Sequence, residues 1–158
     1  MAGGTTRART LMMTATAIAP AEERRRSVRH QFHPHCFACG EAVEGGLGLR
    51  FRVEPDGSVM ADWVCPLVYR SYDGILHGGL IATLLDGAMV HALFARDVVA
   101  RTAELRVRYR QAVHTGEPVR VSARLGTQFG RLYGLTAEVR QRDAVCATAQ
   151  AKFMAVSP

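Results

Sequence analysis

The sequence predicts an α+β domain in which one antiparallel sheet of six strands curls around a single buried helix. Three observations lead to this prediction: two segments in which apolar residues alternate, then one long apolar segment, then four further alternating segments. A soluble domain can hide a helix that is apolar on nearly every side only by surrounding it with other elements. Short links between consecutive strands favour antiparallel pairing.

The first two strands are predicted to form a hairpin. Apolar residues recur at alternate positions over 47–53 and again over 59–64, which is the pattern of half-buried strands. Between them, the Glu-Pro-Asp-Gly run at 54–57 has proline early and glycine last, as a tight turn prefers. The hairpin therefore precedes the helix in the chain.

Residues 78–94 are predicted to form the buried helix. They are rich in leucine, alanine and methionine, and the polar residues that interrupt them are Thr83, Asp86 and His91. His91 is expected to be a core or interface residue. The four later strands are predicted over 105–110, 119–125, 131–140 and 144–156.

Length and composition describe one globular domain without a membrane-spanning segment. The chain has 158 residues, of which 48% are apolar and 22% are charged, and no apolar run approaches the roughly 20 residues that a spanning helix needs. The net charge is +6, but the first 29 residues carry six arginines and two glutamates, so the remainder is nearly balanced. We therefore expect neither a nucleic-acid partner nor a membrane partner.

The N-terminal segment differs from the rest of the chain. Residues 1–30 are rich in alanine, threonine and arginine and show no helical or strand period, so they are predicted to be a disordered basic extension of a domain that spans 31–158. A signal peptide is the alternative, although the apolar stretch is short and broken by threonines. Four cysteines are too few for a disulfide scaffold, so reduced thiols and a cytoplasmic protein are expected.

Two features of the helix point to chemistry. His77, Gly78 and Gly79 stand at its start, where unpaired backbone N–H groups and the positive end of the helix dipole can stabilise a developing negative charge. Asp86 stands among apolar residues, and a buried carboxyl commonly has a raised pKa and a functional role. The alternatives are a flexible helix start without a ligand and a core aspartate whose hydrogen bonds are satisfied.

The spacing of these features predicts a homodimer. Nine residues separate His77 from Asp86, which on an α-helix corresponds to about 13 Å of rise and to opposite faces. One chain therefore cannot easily aim both groups at the same substrate carbonyl. Two chains related by a two-fold axis can do so, when the helix start of one subunit faces Asp86 of the other.

Several segments carry a family resemblance. They are residues 74–79 with 85–88, 102–109, 130–131 and 149–153. Together they resemble the hotdog-fold acyl-CoA thioesterases of the phenylacetate-pathway (PaaI-like) type, in the 4-hydroxybenzoyl-CoA thioesterase superfamily. The similarity extends over about residues 46–155, and its most specific part is the histidine, the glycine pair and the aspartate at this spacing.

This resemblance implies a hotdog fold, in which six antiparallel strands wrap around the long central helix, and a homodimer or a dimer of dimers with a continuous sheet. It implies hydrolysis of a small or medium acyl- or aryl-CoA thioester, with Asp86 as general base or nucleophile. The Gly79 N–H, with Gly78 nearby, would polarise the thioester carbonyl, and His77 would orient the loop or the substrate. Thr102 would help to hold the water.

Four residues are candidates for binding the substrate. Ser71 stands where some relatives have an asparagine, and its hydroxyl could take over a hydrogen bond. Relatives place the nucleotide end of CoA near Arg110, His114 and Arg131, and arginine suits phosphates through its fixed charge and planar fork. The alternative for these three is an ordinary solvated face. CoA is part of the substrate, so no separate cofactor is expected.

Other interpretations of the sequence differ in function. A non-catalytic hotdog protein that binds acyl-CoA as a sensor would have no need of Asp86, and a hotdog dehydratase would place its histidine differently. The cluster of His33, His35, Cys36 and Cys39 contains half of a zinc site, but no second pair lies downstream. We therefore predict no metal site, and a packing or substrate-tunnel role for this segment.

Overall fold

The computed structural model describes residues 15–41 and 43–156 and is built on one six-stranded antiparallel sheet. In chain order the elements are α1 (Ala15–Phe32), β1 (Arg52–Val53), β2 (Val59–Val64), a short 3-10 helix (Leu67–Tyr69), α2 (Gly78–Phe94), β3 (Ala100–Tyr109), β4 (Pro118–Phe129), β5 (Leu132–Gln141) and β6 (Ala144–Ala155). The strands lie in the order β1-β2-β4-β5-β6-β3, and every neighbouring pair is antiparallel. The predicted α+β class and hotdog arrangement are confirmed.

Helix α2 is the centre of the core. It begins at Gly78 and ends at Phe94, as predicted, and packs against strands β2 to β6. Leu84, Leu85 and Met89 are fully buried, and each such side chain stabilises the fold by about 1.5–3 kcal/mol relative to exposure. No helix within 15–41 or 43–156 is both long enough and apolar enough to cross a bilayer.

The first predicted strand is only partly formed. Side chains over 47–53 are alternately buried and exposed, as predicted, but only the last two residues, which form β1, pair with β2. The Leu47 and Leu49 N–H groups instead donate to the carbonyl groups of Phe37 and Ala38, at 2.8 and 2.9 Å. The preceding loop therefore takes the backbone partners that a longer β1 would have used.

The prediction of a disordered extension is wrong for residues 15–30, because they form most of helix α1. Ala21 and Val28 are buried in the core, and the Arg24 Nε donates to the carbonyl oxygen of Ala95 at 3.1 Å. Polar contacts with the end of α2 thus help to hold α1 in place. Because these contacts come from polar side chains, the sequence of α1 shows no helical period of apolar residues. Residues 1–14 of the predicted extension lie outside the described residues.

The two edges of the sheet differ in length. At one edge β1 is two residues long, whereas at the other β3 runs for ten residues from Ala100 to Tyr109. The outer side of β3 has no strand neighbour in the part of the chain that the structure describes. A long unpaired edge presents a row of backbone donors and acceptors to which another chain can bind.

Candidate active site

The start of α2 is capped by the side chain of the residue before it. His77 has an extended backbone (φ −61°, ψ 130°), and its Nδ1 accepts a hydrogen bond from the Gly79 N–H at 2.9 Å. The Gly78 N–H has no protein partner among the described residues. The Gly79 N–H, which the family resemblance implies as the carbonyl-polarising group, is therefore occupied within the chain, and the Gly78 N–H is free to bind a ligand.

Tyr109, at the end of β3, joins the helix start to the sheet edge. Its hydroxyl donates to the Gly78 carbonyl at 2.9 Å, and a Cβ on residue 78 would lie 3.5 Å from the tyrosine ring. The sequence pointed to the strand that ends in Tyr109 but not to this contact, because tyrosine is common on strands in general. The helix start is thus held at the unpaired edge of the sheet.

Asp86 lies further along α2 and faces the other end of β3. Its Oδ1 accepts a hydrogen bond from the Thr102 hydroxyl at 2.7 Å, and within the described residues its Oδ2 has no protein partner. Burial raises the pKa of the Asp86 carboxyl, whereas the Thr102 hydrogen bond and the charge of His33 act in the opposite direction. A half-buried carboxyl with one free oxygen can take a proton from water or attack a carbonyl carbon.

A β-bulge in β3 lets both contacts reach the helix. Thr102 and Tyr109 are seven residues apart, and in a regular strand an odd separation places side chains on opposite faces. The pairing of β3 with β6 shifts between Thr102 and Glu104, so Ala103 is the extra residue. As a result, Thr102 and Tyr109 both point to α2, where they contact Asp86 and Gly78.

Within one chain these two groups are far apart. Gly78 and Asp86 are eight residues apart on one continuous helix, which corresponds to about 12 Å of rise. Their partners on β3 lie near opposite ends of that strand. Each chain therefore presents two separate groups, which we call the backbone donor half-site (the Gly78 N–H at the start of α2) and the carboxyl half-site (Asp86).

Comparison with known proteins decides the family. The family model described as thioesterase superfamily matches residues 73–148, which include both half-sites. A conserved protein from Pseudomonas aeruginosa is 30% identical, and the match covers 70% of this chain and 90% of that one with a TM-score of 0.63. The chain belongs to the thioesterase superfamily. The predicted family resemblance is confirmed.

Further solved structures share the fold of this chain at lower sequence identity. The PaaI protein of the phenylacetic acid degradation operon of Escherichia coli is 13% identical, with a TM-score of 0.74 over 87% of this chain and 96% of that one. A Streptococcus mutans UA159 protein, whose structure holds acetyl CoA, is 17% identical, with a TM-score of 0.64 over 69% and 89%. No curated protein sequence matches the chain.

In this thioesterase-superfamily chain, two of the predicted substrate-binding residues lie beside the backbone donor half-site. The Ser71 N–H donates to the Ile75 carbonyl at 2.8 Å, and Ile75 forms an isolated β-bridge with His114. Both Ser71 and His114 are exposed. Because Ile75 is only two residues before His77, the structure brings Ser71 and His114 to the approach to the helix start.

The two predicted phosphate-binding arginines lie at opposite ends of the sheet. The Arg110 N–H donates to the Cys146 carbonyl just beyond the end of β3, near the helix start. Arg131 donates from Nε and Nη2 to the Ala155 carbonyl, at 3.1 and 2.7 Å, near the first residue of β3. The length of β3 separates these two places by about 30 Å. One chain therefore does not bring Arg110 and Arg131 together.

The loop over 33–40 adjoins the carboxyl half-site of this thioesterase-superfamily chain. A ring nitrogen of His33 and the Sγ atoms of Cys36 and Cys39 lie within 4.8 Å of one another, and His35 does not belong to this group. Burial and the neighbouring Cys36 raise the pKa of the Cys39 thiol to about 12. Because the charge of His33 acts on Asp86, His33 is a neighbour of the site that sequence reasoning did not identify as such.

His91 is a core residue, which confirms one of the two predicted roles. It is 1% exposed and stacks on Phe51 with ring centroids 4.3 Å apart. Arg25 of α1 donates from Nη1 to the His91 Nδ1 at 3.0 Å. Burial, together with the nearby Arg25 charge, lowers the pKa of His91 well below its ordinary value. His91 is therefore neutral and joins α1 to α2.

Proposed function

We propose that the chain is an acyl-CoA thioesterase whose two active sites are shared across a homodimer. The observation that carries this proposal is the state of the Asp86 carboxyl, which is half-buried. Its Oδ1 accepts a hydrogen bond from Thr102, and its Oδ2 has no partner among the described residues. Burying a carboxyl is costly, and a protein that only binds acyl-CoA gains nothing from it. Membership of the thioesterase superfamily supports thioester hydrolysis as the reaction.

The long edge strand supports the dimer. We expect two β3 strands to pair antiparallel about a two-fold axis that passes near residues 105 and 106. That pairing brings the Thr102 end of one strand opposite the Tyr109 end of the other. Asp86 of one subunit then lies beside the Gly78 N–H of the partner subunit, and the two half-sites combine into a complete site.

In the assembled site, the carboxylate and the backbone donor act on the same thioester. As general base, Asp86 takes a proton from water, whose oxygen attacks the carbonyl carbon; as nucleophile, its own oxygen attacks and water then hydrolyses the anhydride. In both cases the Gly78 N–H stabilises the negative carbonyl oxygen, the C–S bond breaks and the CoA thiolate leaves. Gly78 is favoured over Gly79 because His77 occupies the Gly79 N–H.

The nucleotide end of CoA is proposed to lie between the subunits. Arg110 and His114 lie at the helix-start end of β3, and Arg131 lies at the other end. The two-fold pairing of β3 therefore brings Arg131 of one subunit towards Arg110 and His114 of the partner subunit. The acetyl CoA held by the Streptococcus mutans relative supports a CoA thioester as the ligand. The four free cysteines support a reducing, cytoplasmic location.

A panel of acyl-CoA esters with a thiol-release readout tests the proposal. The panel covers short, medium and aromatic acyl groups, and we expect turnover of at least one of these classes. Calorimetry with the same esters gives binding independently of turnover. Tight binding of an ester without thiol release from any member of the panel would contradict the proposed thioesterase activity and favour an acyl-CoA sensor.

Replacing Thr102 with valine should move the pH dependence of hydrolysis. The Thr102 hydroxyl hydrogen-bonds to the charged form of Asp86, so its loss raises the pKa of the carboxyl further. Because the reaction needs the carboxylate, the acid limb of the kcat/KM profile should move to higher pH, with activity retained at high pH. Thr136→Val, on the exposed face of β5, is the matched control. An unchanged acid limb in Thr102→Val would argue that Asp86 is not the titrating group.

Replacing Arg131 with alanine should raise the KM for CoA esters more than the KM for a thioester that lacks the nucleotide. A hydrogen bond to a charged group contributes about 1.5–3 kcal/mol, which corresponds to a difference of about 10- to 100-fold. Arg52→Ala is the control, because Arg52 lies in β1 at the opposite edge of the sheet and forms ion pairs with Glu54 and Asp62. Equal increases for the two substrates would count against a phosphate contact.

A further inference from the structure

The loop between α1 and β1 contains a group of ligand atoms that the proposed hydrolysis does not use. A ring nitrogen of His33 and the Sγ atoms of Cys36 and Cys39 lie within 4.8 Å of one another, and His33 Nδ1 is 4.0 Å from Cys39 Sγ. In a tetrahedral zinc site, nitrogen and sulfur ligands at their usual bond lengths are about 3.5 Å apart. These two atoms therefore need to approach by only about 0.5 Å to share an ion.

A tight turn sets the spacing of these ligands. The Cys36 N–H donates to the His33 carbonyl at 3.3 Å, and the Gly40 N–H donates to the Cys36 carbonyl at 2.7 Å. A Cβ on residue 40 would lie 2.6 Å from the Cys36 carbonyl oxygen and 2.9 Å from that of Pro34. Only glycine fits at this position, so the turn depends on the residue that directly follows the second cysteine.

The same turn is attached to the rest of the fold on three sides. Arg29 of α1 donates from Nη1 to the Cys39 carbonyl at 3.2 Å, and the Leu47 N–H donates to the Phe37 carbonyl at 2.8 Å. The His33 ring packs edge-on against Phe94 of α2, with centroids 5.0 Å apart. Because the backbone is fixed before an ion binds, little ordering entropy opposes binding.

We propose that His33, Cys36 and Cys39 bind one zinc ion per chain, with the fourth coordination position left to water or another small ligand. Two thiolates and one imidazole are a ligand set that zinc accepts with an open position. Thiolate ligands select zinc over magnesium and calcium, which prefer oxygen. Binding replaces two S–H bonds by zinc–sulfur bonds and releases both protons to the solvent.

A redox-active cysteine pair is the competing use of Cys36 and Cys39. Cys39 is 2% exposed, so it can take part in disulfide exchange only through Cys36, which is half-buried. A disulfide would also leave His33 without a role, whereas a zinc ion uses all three side chains. The geometry therefore favours a metal ion over a disulfide.

Zinc titration of the full-length protein tests the proposal. Reduced, metal-free protein is titrated with zinc against a chromophoric chelator, and we expect uptake close to one equivalent per chain with release of about two protons. Cobalt(II) serves as a spectroscopic probe and should give the absorption of a tetrahedral site with thiolate ligands. Because zinc binds the folded chain, it should also raise the Tm in proportion to the logarithm of its concentration.

Variants of the loop separate the site from adventitious binding. Cys36→Ser and His33→Ala should each weaken zinc affinity by about tenfold or more, while His35→Ala and Cys65→Ser serve as matched controls without effect. Gly40→Ala keeps all three ligands but displaces the turn, so it should also weaken binding. Circular dichroism of each variant establishes that it is folded, and Cys36 is only half-buried, which makes its variant the safest.

Three outcomes would overturn the proposal. The first is uptake below about 0.2 equivalents by the reduced wild-type chain. The second is equal zinc affinity in Cys36→Ser and the wild type. The third is a Cys36–Cys39 disulfide in the purified protein together with no zinc uptake after reduction. These measurements do not use hydrolysis, so their result is independent of the proposed enzymatic activity.

Discussion

Replacing Asp86 with asparagine is expected to lower the kcat for thioester hydrolysis by about 10²- to 10⁴-fold, the range that a general base supplies. A nucleophilic role for Asp86 gives a loss at or beyond the upper end of this range. Asparagine has nearly the same shape, and its amide oxygen can still accept the Thr102 hydroxyl. The fold, the dimer and CoA binding should therefore remain. Steady-state thiol release, size-exclusion chromatography and calorimetry measure these quantities separately.

A surface aspartate provides the control for this substitution. Asp143 is exposed in the turn between β5 and β6, far along the chain from the site, so Asp143→Asn should retain wild-type kcat. Turnover close to the wild type in Asp86→Asn would remove this residue from the mechanism. An Asp86→Asn protein that is monomeric or unfolded would instead assign the carboxyl a structural role.

Mixing two inactive variants is expected to restore about a quarter of the wild-type activity if, as proposed, each site draws one half from each subunit. One variant is Asp86→Asn, which lacks the carboxyl. The other is Gly78→Pro, which lacks the free N–H and should lose about 10²- to 10³-fold in kcat. Random pairing makes half of the dimers mixed, and each mixed dimer has one intact site and one doubly defective site.

Proline is chosen at position 78 because the local backbone accepts it. Gly78 is the first residue of α2, where proline is well tolerated, and its N–H makes no helix hydrogen bond. His77 already has the extended conformation that a residue before proline requires. The substitution thus removes the donor and leaves the helix in place.

The two variants are refolded or co-expressed together so that subunits exchange, and thiol release is then compared with each variant alone. Mixing each variant with the wild type gives the matched control for exchange itself. If mixed dimers form and activity does not rise above that of the separate variants, the site lies within one chain. That result would overturn the shared site while leaving the thioesterase activity itself untouched.

The central helix and the carboxyl half-site could be predicted from the sequence because burial leaves a direct mark on composition. The 78–94 segment is apolar nearly all round, so its limits and its place in the core followed from the residues alone. Asp86 stood out for the same reason, as a charged group in an apolar segment. Thr102 entered only through the family resemblance, as a residue that would help to hold the water, and its hydrogen bond to Asp86 was not predicted.

Helix α1 could not be predicted because its contacts are largely polar. Arg24 and Arg25 bind the end of α2, and only a few apolar residues, such as Ala21 and Val28, enter the core. Such a helix resembles a charged tail in composition. The partial pairing of β1 escaped prediction for a related reason, since alternation reports which side chains are buried and not which backbone groups they pair with.

Neither the bulge at Ala103 nor the identity of the free backbone donor could be predicted from the sequence. The alternation of apolar residues from Leu105 to Tyr109 predicts which side chains of the strand share a face. Continued without a bulge, that alternation would place Thr102 on the opposite face. Nothing in the residue order signals where the extra residue lies. The choice between Gly78 and Gly79 depends on the rotamer of His77, which is a matter of three-dimensional structure.

If two chains pair through β3 as proposed, the unequal edges of the sheet limit further strand pairing. Pairing of two β3 strands through a two-fold axis uses both long edges at once, and the assembly then ends on each side in a β1 of only two residues. So short a strand offers a third copy almost no backbone to extend. In the proposed dimer, the same ten residues that pair the subunits would also leave no long edge for strand-by-strand growth into fibres.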